Sequence, residues 1–578
     1  MIKRVVSIFK REAKLFYAKQ LPAIKFKFSP EKYRDIYSVS NGERAVKPYS
    51  FKIHNLEVNP FSKIDWKKDY VSGTVFPDLR FGKFNTNLFF DKGADIKFPW
   101  DLSRCNFIPP MVSNLCAEGK TDEAYQLFKN TIESFINDNK FLYGVNWICT
   151  MEVSIRASNW LFAIPYFKQE LAQDKEFSKK LHLSLFNHAS YIDLFTEHKN
   201  NNHDISNYAG LILLGIYFGN EGWIKKAVDG LEHEMNLQIF EDGSCYELST
   251  YYHRLDTEFF ATSFYFGQLH NIKFSAAYIE RLRKMFGFMF DLMEADGYMP
   301  MLNDNDGGRF VVFNDGSEND FSYLKNFYNK LFSHPVLADA DSGNQLFNNL
   351  PEVVKIASPV LIDNNPVKYE NSKFYKFSDS GFNVIVSGAE IRQIKKQGHK
   401  HVDPGAVYIS IDRKPTFLDL GTSSYTRSLE QRNIDRSISS HNTVVPTGLI
   451  KKYTTKSGYW GKLPAYPEID ITRFEKGNFE CVLDYNGEKV TRTIAITDGQ
   501  LEISDVGTGS LSAFYHTDKS FSIDGNTLLF DDFTMTVTAD EISTEECIYA
   551  ARYGTLTPNA IKIILKSNSA IKIQIKRL

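Results

Sequence analysis

Apolar residues over the first 355 positions recur at helical spacing. Tyr125, Phe128, Ile132, Phe135 and Ile136 line one face, behind Thr121 as the expected cap. Met151–Ala163 reads as a second helix, with Glu152 and Arg156 placed to pair one turn apart. Ser206–Phe218, Thr257–His270 and Ala276–Met293 follow as strongly apolar helices. Helices of this length joined by short polar loops predict stacked helical hairpins. Near residue 355 the period changes to two. Lys489–Ile496 alternates, turns at Asp498-Gly499 and resumes at Leu501–Ile503, a hairpin signal. At the C-terminus Ile571, Ile573 and Ile575 alternate with Lys572, Gln574 and Lys576, a strand with one wet face. Turn residues recur throughout this half, which predicts an antiparallel β-sandwich. Pro351, Pro359 and Pro366 place the boundary between 350 and 370.

The fold class expected is therefore α+β in two domains. Residues 1–95 form an N-terminal segment packed on the helical domain. Residues 96–355 form that domain and 356–578 the sandwich. Val5, Ile8, Phe9 and Phe16 mark a short amphipathic helix at the start, packed on the body or, alternatively, docked on a membrane surface.

Composition narrows the function. The 578 residues carry 68 Lys+Arg against 70 Asp+Glu, a net charge of -2, which argues against a nucleic-acid partner. No apolar run reaches the length of a membrane span. The start lacks the apolar core of a secretory signal, which points to the cytoplasm. Six cysteines without a CxxC pair make no disulfide framework, and most of them read as reduced core residues. Aromatic residues are abundant, with 47 Phe and 30 Tyr. They either fill a large core or line a cleft that stacks on sugar rings.

Candidate chemistry gathers around histidine. His203 follows Asn200-Asn201-Asn202, and His253 follows Tyr251-Tyr252. His399 and His401 lie two apart in Gly398–Asp403 and, on a strand, share one face. The alternative is a polar strand end with ordinary solvated imidazoles. His401, Asp419 and His441 supply two imidazoles and a carboxylate, a set suited to Zn²⁺ or a similar divalent ion. Their spacing is too long to be a metal signature.

Seven blocks in order resemble those of the heparinase II/III-like polysaccharide lyases. They are Trp100–Arg104, Gly144–Trp160, Asn201-Asn202-His203 with Gly210-Leu211, Glu247–His253, Asn303–Arg309, Gly398–Asp403 with Asp419-Leu420-Gly421, and His441-Asn442-Thr443. The chain departs from the pattern at Pro404-Gly405, where many relatives carry small apolar residues. This resemblance implies an incomplete α/α toroid followed by an antiparallel β-sandwich, with a cleft between them. It implies Tyr252 and His399 as catalytic residues, with Asn202 and His203 handling the substrate carboxylate. Trp147, His253, Arg254 and Arg309 are candidates for substrate contact. His401, Asp419 and His441 match metal ligands whose ion is structural, and no organic cofactor is implied.

The implied reaction is β-elimination on an acidic, uronate-containing polysaccharide, a glycosaminoglycan or an exopolysaccharide. Removing the C5 proton builds charge on the carboxylate, which Asn202 and His203 neutralise. Tyr252 and His399 share the acid and base roles, with Arg254 and His253 as cations that lower the Tyr252 pKa. Glu247 and Arg309 are expected to support the fold, and Asp304 and Asp306 to shape a loop. The alternatives are a glycoside hydrolase using Glu247 and Asp306, or a non-catalytic glycan-binding or assembly protein. Family resemblance makes the periplasm the alternative compartment.

Overall fold

A computed structural model describes residues 14–17, 19–20, 26–39, 51–54, 56–314, 318–336, 343–358, 365–389, 398–456, 458–459, 463 and 466–578. Val5, Ile8 and Phe9 of the expected N-terminal helix lie outside the described residues, as does Pro359.

Two kinds of helix alternate in the first half, and burial separates them. Thr150–Ala163 is buried at every position, and Asn202–Phe218 and Thr250–Leu269 at nearly every position. Thr121–Asp138, Lys175–Leu194, Glu221–Gln238 and Ala276–Leu292 bury one stripe and wet the other. Fully buried helices form the inside of the body, and amphipathic ones its outside. The inner helices Thr150–Ala163 and Thr250–Leu269 flank Asn202–Phe218, and Glu221–Gln238 covers it from outside. Side chains of Asp174, Asn201, Asn220, Ser249 and Ser275 cap five of these helices. Thr121 is not a cap: it is the first residue of its helix, and Lys120 precedes it without a side-chain bond. Nor does Glu152 pair with Arg156. Its carboxylate receives Arg104 Nε and Nη2 at 2.6 and 2.9 Å, while Arg156 donates to His188, Ser103 and the Asn146 carbonyl.

Close approach of the inner helices rests on Gly210. A Cβ there would run into the Ser154 hydroxyl and meet Ser154 Cα at 3.1 Å. Gly210→Ala should therefore cost about 1–3 kcal/mol in overpacking, outweighing about 1 kcal/mol of helix propensity gained. A lower denaturant midpoint at unchanged slope is the expected readout. A midpoint equal to the parent's would refute this packing.

The second half is antiparallel in every pairing between strands, in sheets of five, eight and four. The expected hairpin joins Glu488–Thr497 to Gln500–Gly507, and Asp498 and Gly499 both take positive φ (51° and 73°). That geometry suits the tight turn's twist. Ile571, Ile573 and Ile575 are buried on strand Ala570–Arg577 as the alternation required.

The five-stranded sheet behaves differently. Its strands Phe382–Ser387 and Ala406–Ile411 are buried at all positions. One face, with Phe374, Ile385 and Tyr408, joins the core of the helical half. The other, with Phe377, Val384 and Ile409, joins the core of the β half. This sheet is thus the shared wall of both domains. Asn383 and Ser410 add polar fixation, donating to Glu294 Oε1 at 2.6 and 2.5 Å. Ahead of the helices, Ile36, Tyr37, Ile53 and Trp66 bury into the helical core. Cys105, Cys149, Cys245 and Cys481 are buried, and all six thiols are free. No described helix is long and apolar enough to cross a membrane.

Candidate active site

The centre of the site is where the first turn of the inner helix Thr250–Leu269, the Asn303-Asp304 segment and a loop of the β half meet. Tyr252 stands in the first turn of Thr250–Leu269. The Ser249 cap accepts the Tyr252 amide at 3.2 Å and donates its hydroxyl to the Asp304 carbonyl at 2.6 Å. Asp304 and Asn303 clasp the histidine loop. The Asp304 amide donates to the His399 carbonyl, and the His401 amide to Asn303 Oδ1. Asn303 adopts φ 65°, a conformation its residue type tolerates. Residues 398–405 are therefore a loop and not the expected strand. Even so, His399 and His401 do share one site, because both reach the same carboxylate.

That carboxylate is Asp304. His399 Nδ1 lies 2.8 Å from Oδ2, and His401 Nε2 lies 2.6 Å from Oδ1. Arg432 grips both oxygens at 2.5 and 2.7 Å, and the Thr422 hydroxyl donates to Oδ1 at 2.6 Å. Burial pushes the carboxyl up, but Arg432 and His401 outweigh it and hold Asp304 well below the usual range. Asp304 is more than a loop-shaping residue: it is the anion that fixes the imidazoles. Neither Arg432 nor Thr422 stood out in the sequence, since both lie more than a hundred residues away on the other half.

Tyr252 and His399 lie face to face, ring centroids 3.7 Å apart and planes 21° from parallel. The Tyr252 hydroxyl bonds the Tyr425 hydroxyl at 2.8 Å. Tyr425 is held in turn: its amide donates to the Tyr553 hydroxyl, which donates to Asp95. Burial, reinforced by Asp306 and Tyr425, pushes the Tyr252 hydroxyl well above its ordinary value. This reverses the expectation of a phenol acidified by neighbouring cations. Arg254 points away, donating to the Glu318 and Gly308 carbonyls. His253 accepts the Cys245 amide and donates to the Met285 carbonyl, and burial takes it down to about 4. Both support the fold.

Two other expected contacts also belong to the framework. Trp147 is 2% exposed, packed against Phe141, His188 and Tyr191, with its indole N–H on the Asn139 carbonyl. No ring face remains for a sugar. Arg309 binds Glu258 at 2.6 Å and Asn314 at 3.0 Å on the wall of a cavity of about 140 Å³. His54, Asp101, Arg104, Asp306 and Tyr553 line the same cavity. Asp306 is neutralised there by Lys97 at 3.1 Å.

Asn202 opens the Asn202–Phe218 helix. It is 1% exposed, and its amide oxygen has no hydrogen-bond partner. His203 turns to a separate cluster, with Nδ1 2.8 Å from Glu197 Oε2. Glu247 Oε1 lies 3.8 Å from His399 Nε2. Burial pushes Glu247 up to about 8, against the pull of His399.

His401, Asp419 and His441 come together, with donor atoms all within 4.8 Å of one another. His441 Nδ1 lies 2.8 Å from Asp419 Oδ2. His401 Nδ1 and His441 Nε2 are buried without partners. Burial takes His401 down to about 4, which leaves a neutral imidazole with a free lone pair. These residues fit a divalent cation.

The sequence matches two family models, Heparinase II/III N-terminus over residues 12–327 and Heparinase II/III-like, C-terminal over 362–576. A heparin-sulfate lyase of Bacteroides stercoris is 23% identical over 303 residues. That match takes in 51% of this chain and 42% of the relative, so less than half of the relative's length is represented. Among solved structures, a heparinase III crystal structure superposes with a TM-score of 0.65 at 14% identity, over 100% of this chain and 91% of that one. The heparan sulfate lyase HepC of Pedobacter heparinus gives 0.53 at 15% identity, over 98% and 88%. These likenesses identify the architecture as the helical toroid with an antiparallel β domain. Spanning nearly the whole sequence, the two family matches show that the chain belongs to the heparinase II/III family.

Proposed function

We propose that the chain is a polysaccharide lyase that cleaves an acidic, uronate-containing glycan, a glycosaminoglycan in the first instance, by β-elimination. The observation that carries this reading is the Tyr252–His399 face-to-face pair, fixed across the domain junction by Asp304. A proton donor and a proton acceptor stand in contact at one point, as elimination requires. Tyr252, kept protonated by burial, is suited to giving a proton to the departing C4 oxygen. His399, oriented through Nδ1, presents Nε2 for the C5 proton. Asn202 supplies an amide N–H for the substrate carboxylate, with His203 beside it. The names of the relatives, a heparin-sulfate lyase and a heparan sulfate lyase, support the glycosaminoglycan class.

A screen of acidic glycans tests the proposal. A lyase creates 4,5-unsaturated uronate ends, seen as new ultraviolet absorbance. Fresh reducing ends without unsaturation would overturn elimination and favour a hydrolase. Glycan binding without products would favour a non-catalytic role.

The second part of the proposal is a structural divalent ion on His401, Asp419 and His441. Bound there, it supplies charge that ties the histidine loop to the β half. Elemental analysis should find near-stoichiometric metal in protein purified without chelator. A ligand present at a hundred times its Kd adds about 2.7 kcal/mol, so stripping the ion should lower the melting temperature measurably. A melting curve unmoved by chelator would count against the site.

A further inference from the structure

Cys149, Glu197 and His203 form a cluster from which the proposed elimination takes only His203. Cys149 precedes the Thr150–Ala163 helix, and His203 lies in the first turn of Asn202–Phe218. One nitrogen, His203 Nδ1, faces three groups: Glu197 Oε2 at 2.8 Å, Lys199 Nζ at 3.4 Å and Cys149 Sγ at 3.6 Å. A single imidazole nitrogen satisfies one hydrogen-bond partner at a time. The three potential ligand atoms lie within 4.8 Å of one another.

From this geometry we propose a second metal site, for a thiophilic divalent cation of the zinc class, held by Cys149 Sγ, His203 Nδ1 and Glu197 Oε2. The spacing supports it. Zinc–sulfur and zinc–nitrogen bonds of about 2.3 and 2.0 Å set a tetrahedral edge of about 3.6 Å, the separation found between Cys149 and His203. The nitrogen–oxygen edge is about 3.3 Å, so Glu197 moves outward by roughly half an ångström. Supporting contacts already exist. The Met151 amide donates to Oε2 at 3.3 Å, and Asn207 Oδ1 receives the Glu197 amide at 3.0 Å. Oriented ligands of this kind are what metal sites require. The side chain of His203 is 23% exposed and that of Lys199 43%, which gives an ion a way in, while the thiol stays buried.

On binding, the Cys149 S–H bond breaks, its proton leaves to solvent, and the sulfur electron pair forms the S–metal bond. Lys199 is the resident cation and the competitor, so it leaves the imidazole as the metal arrives. The fourth position opens to water on the exposed side. This site shares His203 with the lyase reading, but its test reads metal binding and not activity, and it shares no ligand with His401, Asp419 and His441. The Cys245, Glu247 and Asp256 cluster is the control. Its thiol already donates to Asp256 at 3.2 Å, and all three residues are buried with no exposed edge.

Titration of the purified full chain with Co²⁺, after chelation and dialysis, tests the proposal. Wild type should develop a sulfur-to-cobalt charge-transfer band that Zn²⁺ displaces. Cys149→Ser should abolish the band and Cys245→Ser should keep it. Lys199→Met should raise Co²⁺ affinity. Should Cys149→Ser fail to fold, Glu197→Gln decides: it should weaken Co²⁺ binding about tenfold or more. No band in wild type, a band surviving in folded Cys149→Ser, or unchanged affinity in Glu197→Gln would each overturn the site.

Discussion

Asp304→Ala should destabilise the protein by about 3–5 kcal/mol and abolish its activity. The size of the effect comes from what is left behind. Arg432 is fully buried, and Asp304 is the carboxylate in bidentate contact with it. Removing one partner of a buried ion pair strands the other charge in a low dielectric, and that penalty reaches about 3–5 kcal/mol. A domain typically holds about 5–15 kcal/mol in all, so the variant stands near the edge of folding. His399 and His401 lose their anchor in the same step. A double variant, Asp304→Leu with Arg432→Met, separates the two consequences. It removes both charges, so most of the stability should return, while activity stays absent because His399 is unanchored. Denaturant melts and initial rates read both. Asp304→Ala within about 1 kcal/mol of the parent, the low end for an unpaired buried group, would refute the central role of this carboxylate.

Tyr252→Phe should fold normally and lose about 10²–10⁴-fold in kcat, the range for a missing general acid or base. The ring stack on His399 survives this change, and only the hydroxyl bond to Tyr425 goes. A lost neutral hydrogen bond costs about 0.5–1.5 kcal/mol, so the melting curve should barely move. KM should stay near the parent value, because the phenol acts on the departing oxygen and not on the bound carboxylate. Tyr425→Phe is the companion: it keeps the proton donor and should lose much less. Rates of unsaturated-product formation distinguish the two. If Tyr252→Phe keeps rates within tenfold of the parent, the phenol is not the donor.

How much of this was legible in the sequence depends on the range of the contact. The period change near residue 355, the helices and the Asp-Gly hairpin are local properties and appear where the pattern placed them, except that two inner helices begin earlier, at Asn202 and Thr250 in place of Ser206 and Thr257. The pairing of Glu152 with Arg156 failed for a tertiary reason. In an inner helix the side chains leave their own surface, and Arg104, just past the end of the Lys97–Ser103 helix, holds Glu152 instead. The two-sided burial of Phe382–Ser387 was invisible because its composition matches either a one-faced strand or a sandwiched one. Histidine spacing found His399 and His401, yet it assigned their meeting to strand geometry. The meeting is made by Asp304, 95 residues from His399. Trp147 was misplaced for the opposite reason: a conspicuous residue inside a matching block drew a functional role that burial denies it. Arg432 has no local signature, since its importance is created only when Leu429–Asp435 packs against a loop of the other half.

The shared wall between the two halves has a consequence for the order of events during maturation. Neither half owns the five-stranded sheet, since its two faces complete two different cores. A nascent chain emerging from the ribosome has made its helices before residues 374–417 exist, so the helical core must wait with an open flank. The Asp304 carboxylate waits with it, beside Tyr252 but without His399 or Arg432. Activity is therefore expected only once the β half has docked, so it should report on completed assembly. Under gentle denaturation it should vanish ahead of the bulk helical signal.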